Sequence, residues 1–168
     1  MRAITLLLTL LLTACASYSG AGLRPGESRL DDVVGSMGRP AMRWQDPDGS
    51  VQLAYPRGPA GIHTYMVKLR PDGRLRSIEN VLDETAFARI QAGMTREQVL
   101  RVLGPPDPLR TVYFKARDEL VWDWRACTYN VYLQRLYVLF DATAGTVRST
   151  MSEDELFGHE GIAIPCVR

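Results

Sequence analysis

Apolar residues recur at helical spacing in two stretches of the chain, each running into a glycine with a proline two residues on. Leu30, Val33, Val34 and Met37 fall at i, i+3, i+4 and i+7; further along, Val99, Leu100 and Leu103, with Val102 beside them, give a second buried side. Ser28 with Asp31 and Thr95 with Gln98 predict capping boxes at the two starts. Gly38 and Gly104 suit a left-handed stop, and Pro40 and Pro106 forbid continuation. A third helix is predicted over 83–91, with Asp83 as N-cap and Phe87 and Ile90 on one face. The remaining pattern is that of strands. Segments 41–45 and 50–55 flank the turn Asp46-Pro47-Asp48-Gly49, and 62–70 and 74–80 flank Pro71-Asp72-Gly73. Segments 109–114 and 119–125 enclose a charged turn. Segment 130–141 is the most apolar of all, and 146–151 follows Gly145.

The pattern occurs twice, at an interval of about 67 to 72 residues. Each half reads as a short helix or helix pair packed on a four-stranded antiparallel sheet, which makes the fold class α+β with two tandem units. The first unit is placed at 24–81, the second at 82–151 and a C-terminal tail at 152–168. Neither half carries many apolar residues of its own, so the two are expected to share a core or an interface.

The N-terminus has a different character. Met1-Arg2 supplies a cationic start, and residues 3–12 are almost wholly apolar, a length suited to a signal peptide and too short for a membrane span. Leu12-Thr13-Ala14-Cys15 resembles the bacterial lipobox. The expectation is removal of residues 1–14, lipid attachment (palmitate among the acyl chains) at Cys15, and a flexible tether over 15–23. An ordinary secretory signal is the alternative. Outside the cytoplasm, Cys127 and Cys166 read first as a disulfide, the alternative being two unpaired buried thiols.

Net charge is +1, which excludes a strong general pull on nucleic acid. Eighteen of the 20 basic residues are arginine, a bias that suits bidentate anion binding but that a GC-rich genome explains more simply. Lys68, Arg70, Arg74 and Arg76 alternate with apolar positions around one hairpin, which makes them candidates for binding anionic lipid headgroups; a solvated sheet face is the plain alternative. The run from Tyr129 to Phe140 is read as core, with its aromatics as alternative contacts for a partner protein. No catalytic constellation is present: His63 and His159 have no nucleophile nearby in sequence, and no metal spacing or phosphate loop is found. Asp46-x-Asp48-Gly49 lacks the distal ligands of a calcium loop, and Glu153-Asp154-Glu155 reads as solvated surface. No cofactor is expected.

Gly93 to Pro106, then Trp122-Asp123-Trp124, then Val138-Leu139-Phe140-Asp141 and Gly145 resemble the small outer-membrane lipoproteins of the SmpA/OmlA, or BamE, family. Gly26 to Pro40, Tyr55, Val67-Lys68-Leu69 and Asp72-Gly73 match more loosely. Members of that family usually carry one copy, and a tandem pair is similar to the β-lactamase inhibitor protein fold. The resemblance implies a non-enzymatic lipoprotein of the Gram-negative outer membrane, facing the periplasm, that supports outer-membrane protein assembly or envelope integrity through protein contacts. The tandem form suggests the alternative, an inhibitor or sequestering module that binds a periplasmic enzyme. Ala16 after the lipidated cysteine favours the outer membrane in known sorting signals.

Overall fold

The structure, a computed structural model, describes residues 19–58, 61–129, 131–158 and 161–166. Cys15, the signal segment and His159 lie outside the described residues. The order is α1 (Leu30–Met37), β1 (Met42–Gln45), β2 (Val51–Pro56), β3 (Thr64–Leu69), β4 (Leu75–Asn80), α2 (Glu84–Phe87), α3 (Arg96–Leu103), β5 (Val112–Phe114), β6 (Glu119–Thr128), β7 (Tyr132–Asp141), β8 (Val147–Asp154), β9 (Leu156–Phe157) and β10 (Ile162–Ala163). Strands β1 to β4 form one antiparallel meander and β5 to β8 a second, while β9 and β10 pair with each other in the tail. The class is α+β with two sheet units, as the hydrophobic pattern indicates.

Local chemistry explains the boundaries. Thr95 and Gln98 close the expected reciprocal cap on α3, Gln98 N–H donating to Thr95 Oγ1 at 3.2 Å and Thr95 N–H to Gln98 Oε1 at 2.7 Å. The start of α1 lies one residue later than the pattern indicates. Arg29 is the N-cap, its N–H donating to Asp32 at 2.7 Å, because the Ser28 hydroxyl is taken by the N–H of Arg24. Asp83 caps α2 through Ala86 N–H at 2.7 Å, but the helix stops at Phe87, well short of 91. Beyond it the chain tightens into i→i+3 bonds, Arg89 to Ala86 and Ile90 to Phe87.

Sheet one is covered on both faces. Leu53, Tyr55, Val67, Leu69 and Leu75 meet Val33 and Met37 of α1. On the opposite face Ala54 and Met66, with Met42 and Trp44 against them, join one cluster with Val99, Val102 and Leu103 of α3 and Trp124, Leu136, Val138 and Phe140 of sheet two. The expected shared core is therefore present, and α3 is packed against both sheets. Gln52 Nε2 donates to the Arg101 carbonyl at 2.6 Å, and Arg101 pairs with Asp46 at 2.7 Å. Gly104, the C-cap of α3, lies against sheet one: φ is +75°, and a Cβ there would lie 2.7 Å from Thr64 Cγ2. Only glycine satisfies both conditions.

Of the tether stretch 15–23, Gly20 and Leu23 pack against the body, while Ser19, Ala21 and Gly22 are exposed. A Cβ on Gly20 would lie 2.7 Å from Ile78 Cδ1, and Leu23 packs beside α1 and sheet one. Gly26 N–H donates to Leu75 O and Leu75 N–H to Ser28 O, so the segment before α1 runs along β4.

Candidate partner-docking surface

All eleven exposed large apolar side chains among the described residues lie between Leu109 and Ile162, on the second unit and tail. The first unit has none there. Leu109 is 84% exposed and Phe157 73%, which no core requirement explains. Of the aromatic run read as core, Leu133, Leu136, Val138 and Phe140 are buried, but Tyr129, Val131 and Tyr132, at the β6–β7 turn, stand at the surface.

The outer face of sheet two, turned away from α3, forms a groove of about 680 Å³. Leu109, Val112, Phe114, Val121 and Tyr137 wall it, Arg110 flanks it, and Asp107, Asp123 and Arg135 form its floor. The floor is a buried charge network. Arg135 Nη1 lies 3.3 Å from Asp123 and 4.0 Å from Asp107, and Arg135 Nη2 is 3.6 Å from Glu155. Glu155 is held in turn by Arg125 Nε at 2.6 Å. Burial pushes the Asp123 carboxyl above its ordinary range, and the Arg135 guanidinium opposes this only in part. Burial, followed by the charge of Asp123, likewise raises Tyr137. An apolar rim around a fixed ionic floor is the anatomy of a protein-docking surface.

Cys127 and Cys166 are bridged, with Cα atoms 5.9 Å apart and a sequence separation of 39. The bridge secures the tail, whose backbone also bonds at Cys166 N–H to Val131 O and Leu133 N–H to Ile164 O. Glu155, which sequence patterning assigned to solvated surface, donates its N–H to Leu133 O and accepts from Ile164 N–H of this return segment, with its carboxylate 3.6 Å from Arg135.

The four cations of the β3–β4 hairpin do not act alike. Lys68 pairs with Glu79 at 3.3 Å. Arg74 Nη1 donates to the Gly26 carbonyl at 3.0 Å and Arg74 Nε lies 3.8 Å from Asp72, so this side chain helps to hold the N-terminal segment. Arg70 and Arg76 are exposed, and with Lys68 they line a small cavity of about 180 Å³ that Asp46 and Asp48 also border. His63 stacks on Tyr65, ring centroids 5.8 Å apart, and burial lowers its pKa. Among the described residues no group of three His, Cys, Asp or Glu side chains is arranged to hold a metal ion. No described helix is long and apolar enough to cross a membrane.

Comparison with curated proteins and with solved structures gives no match. A family model described as the outer membrane protein assembly factor BamE domain matches residues 79–150. That span runs from the end of β4 through α2, α3 and β5–β7 into β8, so it is the second unit that is similar to the BamE domain.

Proposed function

We propose that the protein is an outer-membrane lipoprotein, anchored through Cys15 and facing the periplasm, that supports outer-membrane protein assembly by docking a protein partner on its second unit. One coincidence carries this reading: the residues that match the assembly-factor domain hold seven of the eleven exposed large apolar side chains among the described residues, and the other four follow directly on β8 and the tail. The role is that of an accessory binding protein rather than an enzyme. Gly20, packed against Ile78, lies five residues after Cys15, so an anchor there would hold the body within roughly 18 Å of the bilayer at about 3.6 Å per extended residue.

Two experiments test the reading. Affinity capture with the lipidated full chain should recover barrel-assembly proteins, and Leu109→Asp with Phe114→Asp should abolish their recovery without lowering the melting temperature. A single stoichiometric soluble enzyme in their place would overturn the assembly role. Cys15→Ser should remove labelled palmitate and release the protein from the membrane fraction; full labelling of that variant would overturn the anchor.

A further inference from the structure

Strand β6 runs for 10 residues, but its outer neighbour β5 covers only three of them, pairing at Glu119 to Val121. Immediately beyond, Asp107 N–H donates to the Asp123 carbonyl at 2.8 Å. Asp123 therefore turns its backbone away from β7. Because alternate residues of an antiparallel strand point their polar backbone groups to the same side, Arg125 and Cys127 do so too. Their opposite numbers agree: Leu133, across from Cys127, directs its backbone to Ile164 and Glu155 on the far side of β7. Among the described residues no backbone hydrogen bond reaches Arg125 or Cys127 along this edge. The stretch Trp122-Asp123-Trp124-Arg125-Ala126-Cys127 contains neither the proline nor the lysine by which sheet edges are usually blocked. The first unit closes the same place. There β1 and Ala41 cover β2 as far as Ala54, and Pro56, two residues on, has no N–H to offer.

The open edge borders a cavity of about 670 Å³ at the junction of the units, with Arg125 in its lining. Its walls are Pro56 and Thr64 from the first unit with Leu82, Pro105, Trp122 and Trp124 from the second. Trp124 Nε1 is spent on the Gly104 carbonyl at 3.3 Å, and Trp122 sits edge-on to Phe140 at 4.6 Å, so the indoles are fixed and offer apolar surface.

We propose that this edge accepts an extended polypeptide segment as an added antiparallel strand, in line with β5. Backbone groups of the segment bond to Arg125 and Cys127. The residues opposite these two share their outer face, where the Asp123, Arg125 and Glu155 side chains form an ionic network, so polar side chains are accepted there. The residues between them send side chains toward the Trp122 and Trp124 face, into the cavity, so these are apolar. The ligand class is an unpaired strand of alternating polar and apolar residues. The edge is open to such a segment whether or not an assembly protein supplies it.

Hydrogen exchange by NMR on the purified full chain tests this, with an acetylated, amidated heptapeptide of alternating threonine and valine, threonine at both ends. In the free protein the amides of Arg125 and Cys127 exchange fast, whereas those of Trp124 and Ala126, bonded to β7, are protected. The peptide should slow Arg125 and Cys127. Methylating the backbone nitrogens of the threonines, which face β6, should weaken binding at least about tenfold, and methylating those of the valines should weaken it far less. Strong protection of Arg125 in the free protein overturns the proposal. So does peptide binding that leaves Arg125 and Cys127 unchanged, equal affinity of the two methylated peptides, or no amide response at millimolar peptide.

Discussion

Arg135 and Asp123 show what a single residue does when tertiary cover overrides its place in the pattern. Both are charged side chains, yet they are 7% and 2% exposed, with Asp107 of the loop before β5 and Glu155 beyond β8 set against Arg135. No local signal marks that arrangement, and so the ionic floor was not legible in the sequence. Its energetics are asymmetric. Arg135 serves three carboxylates, so Arg135→Met leaves buried negative charge without its partner and should cost about 3–5 kcal/mol at neutral pH. Asp123→Asn should cost much less, since Arg135 keeps Asp107 and Glu155. Asp123 has a folded pKa above its unfolded one. Its favourable contribution is therefore complete below the unfolded value and is lost as pH rises through the folded one. The deficit of Arg135→Met should accordingly shrink as the solution is acidified toward the carboxylate range. Denaturant melts across pH would show this, and a deficit independent of pH would contradict it.

At the scale of elements, what could be read locally was read well. The Thr95–Gln98 cap, the glycine stops and the Asp-Gly turns each depend on a few adjacent residues, and they place α1, α3 and the eight strands of the two sheets within a few positions. The errors have physical causes: a hydroxyl claimed by Arg24 moves the α1 cap, and β6 and β8 outrun the pattern because they pair with β7 along its length. The β3–β4 hairpin turns this into a test of the lipid-headgroup reading. Arg74 holds the Gly26 carbonyl, whereas Arg70 and Arg76 are exposed. Replacing Arg70 and Arg76 by glutamine should weaken attachment of the unlipidated form to anionic vesicles, most at low salt, with almost no change in stability. Arg74→Gln should instead lower the melting temperature. Unaltered vesicle binding by the double variant at every salt concentration would leave the hairpin a solvated surface. The tail offers a second test. Opening the Cys127–Cys166 loop removes up to about 4 kcal/mol of chain-entropy stabilisation, so each Cys→Ser variant should melt lower and lose amide protection first across β9 and β10.

The arrangement of the whole molecule was legible only as a shortage. Too few apolar residues in each half implied a shared core, but not that α3 supplies it by touching both sheets. Long-range packing of that kind leaves no periodicity in the chain. Ala54 and Met66 belong to the same cluster as Val99, Leu103, Trp124 and Phe140, and Gly104 lies against Thr64 with no room for a methyl group. Neither unit can be removed without uncovering part of that cluster. Calorimetry of the full chain should therefore show one cooperative transition, with equal calorimetric and van't Hoff enthalpies. Gly104→Ala, which forces a Cβ against sheet one at a positive φ, should lower that transition by several degrees without splitting it. The segment 82–166 on its own should unfold without cooperativity, since α3 would lose sheet one. Two resolved transitions in the full chain, or a sharp melt of the isolated segment, would show instead that the second unit stands alone and that the first is an appendage to it.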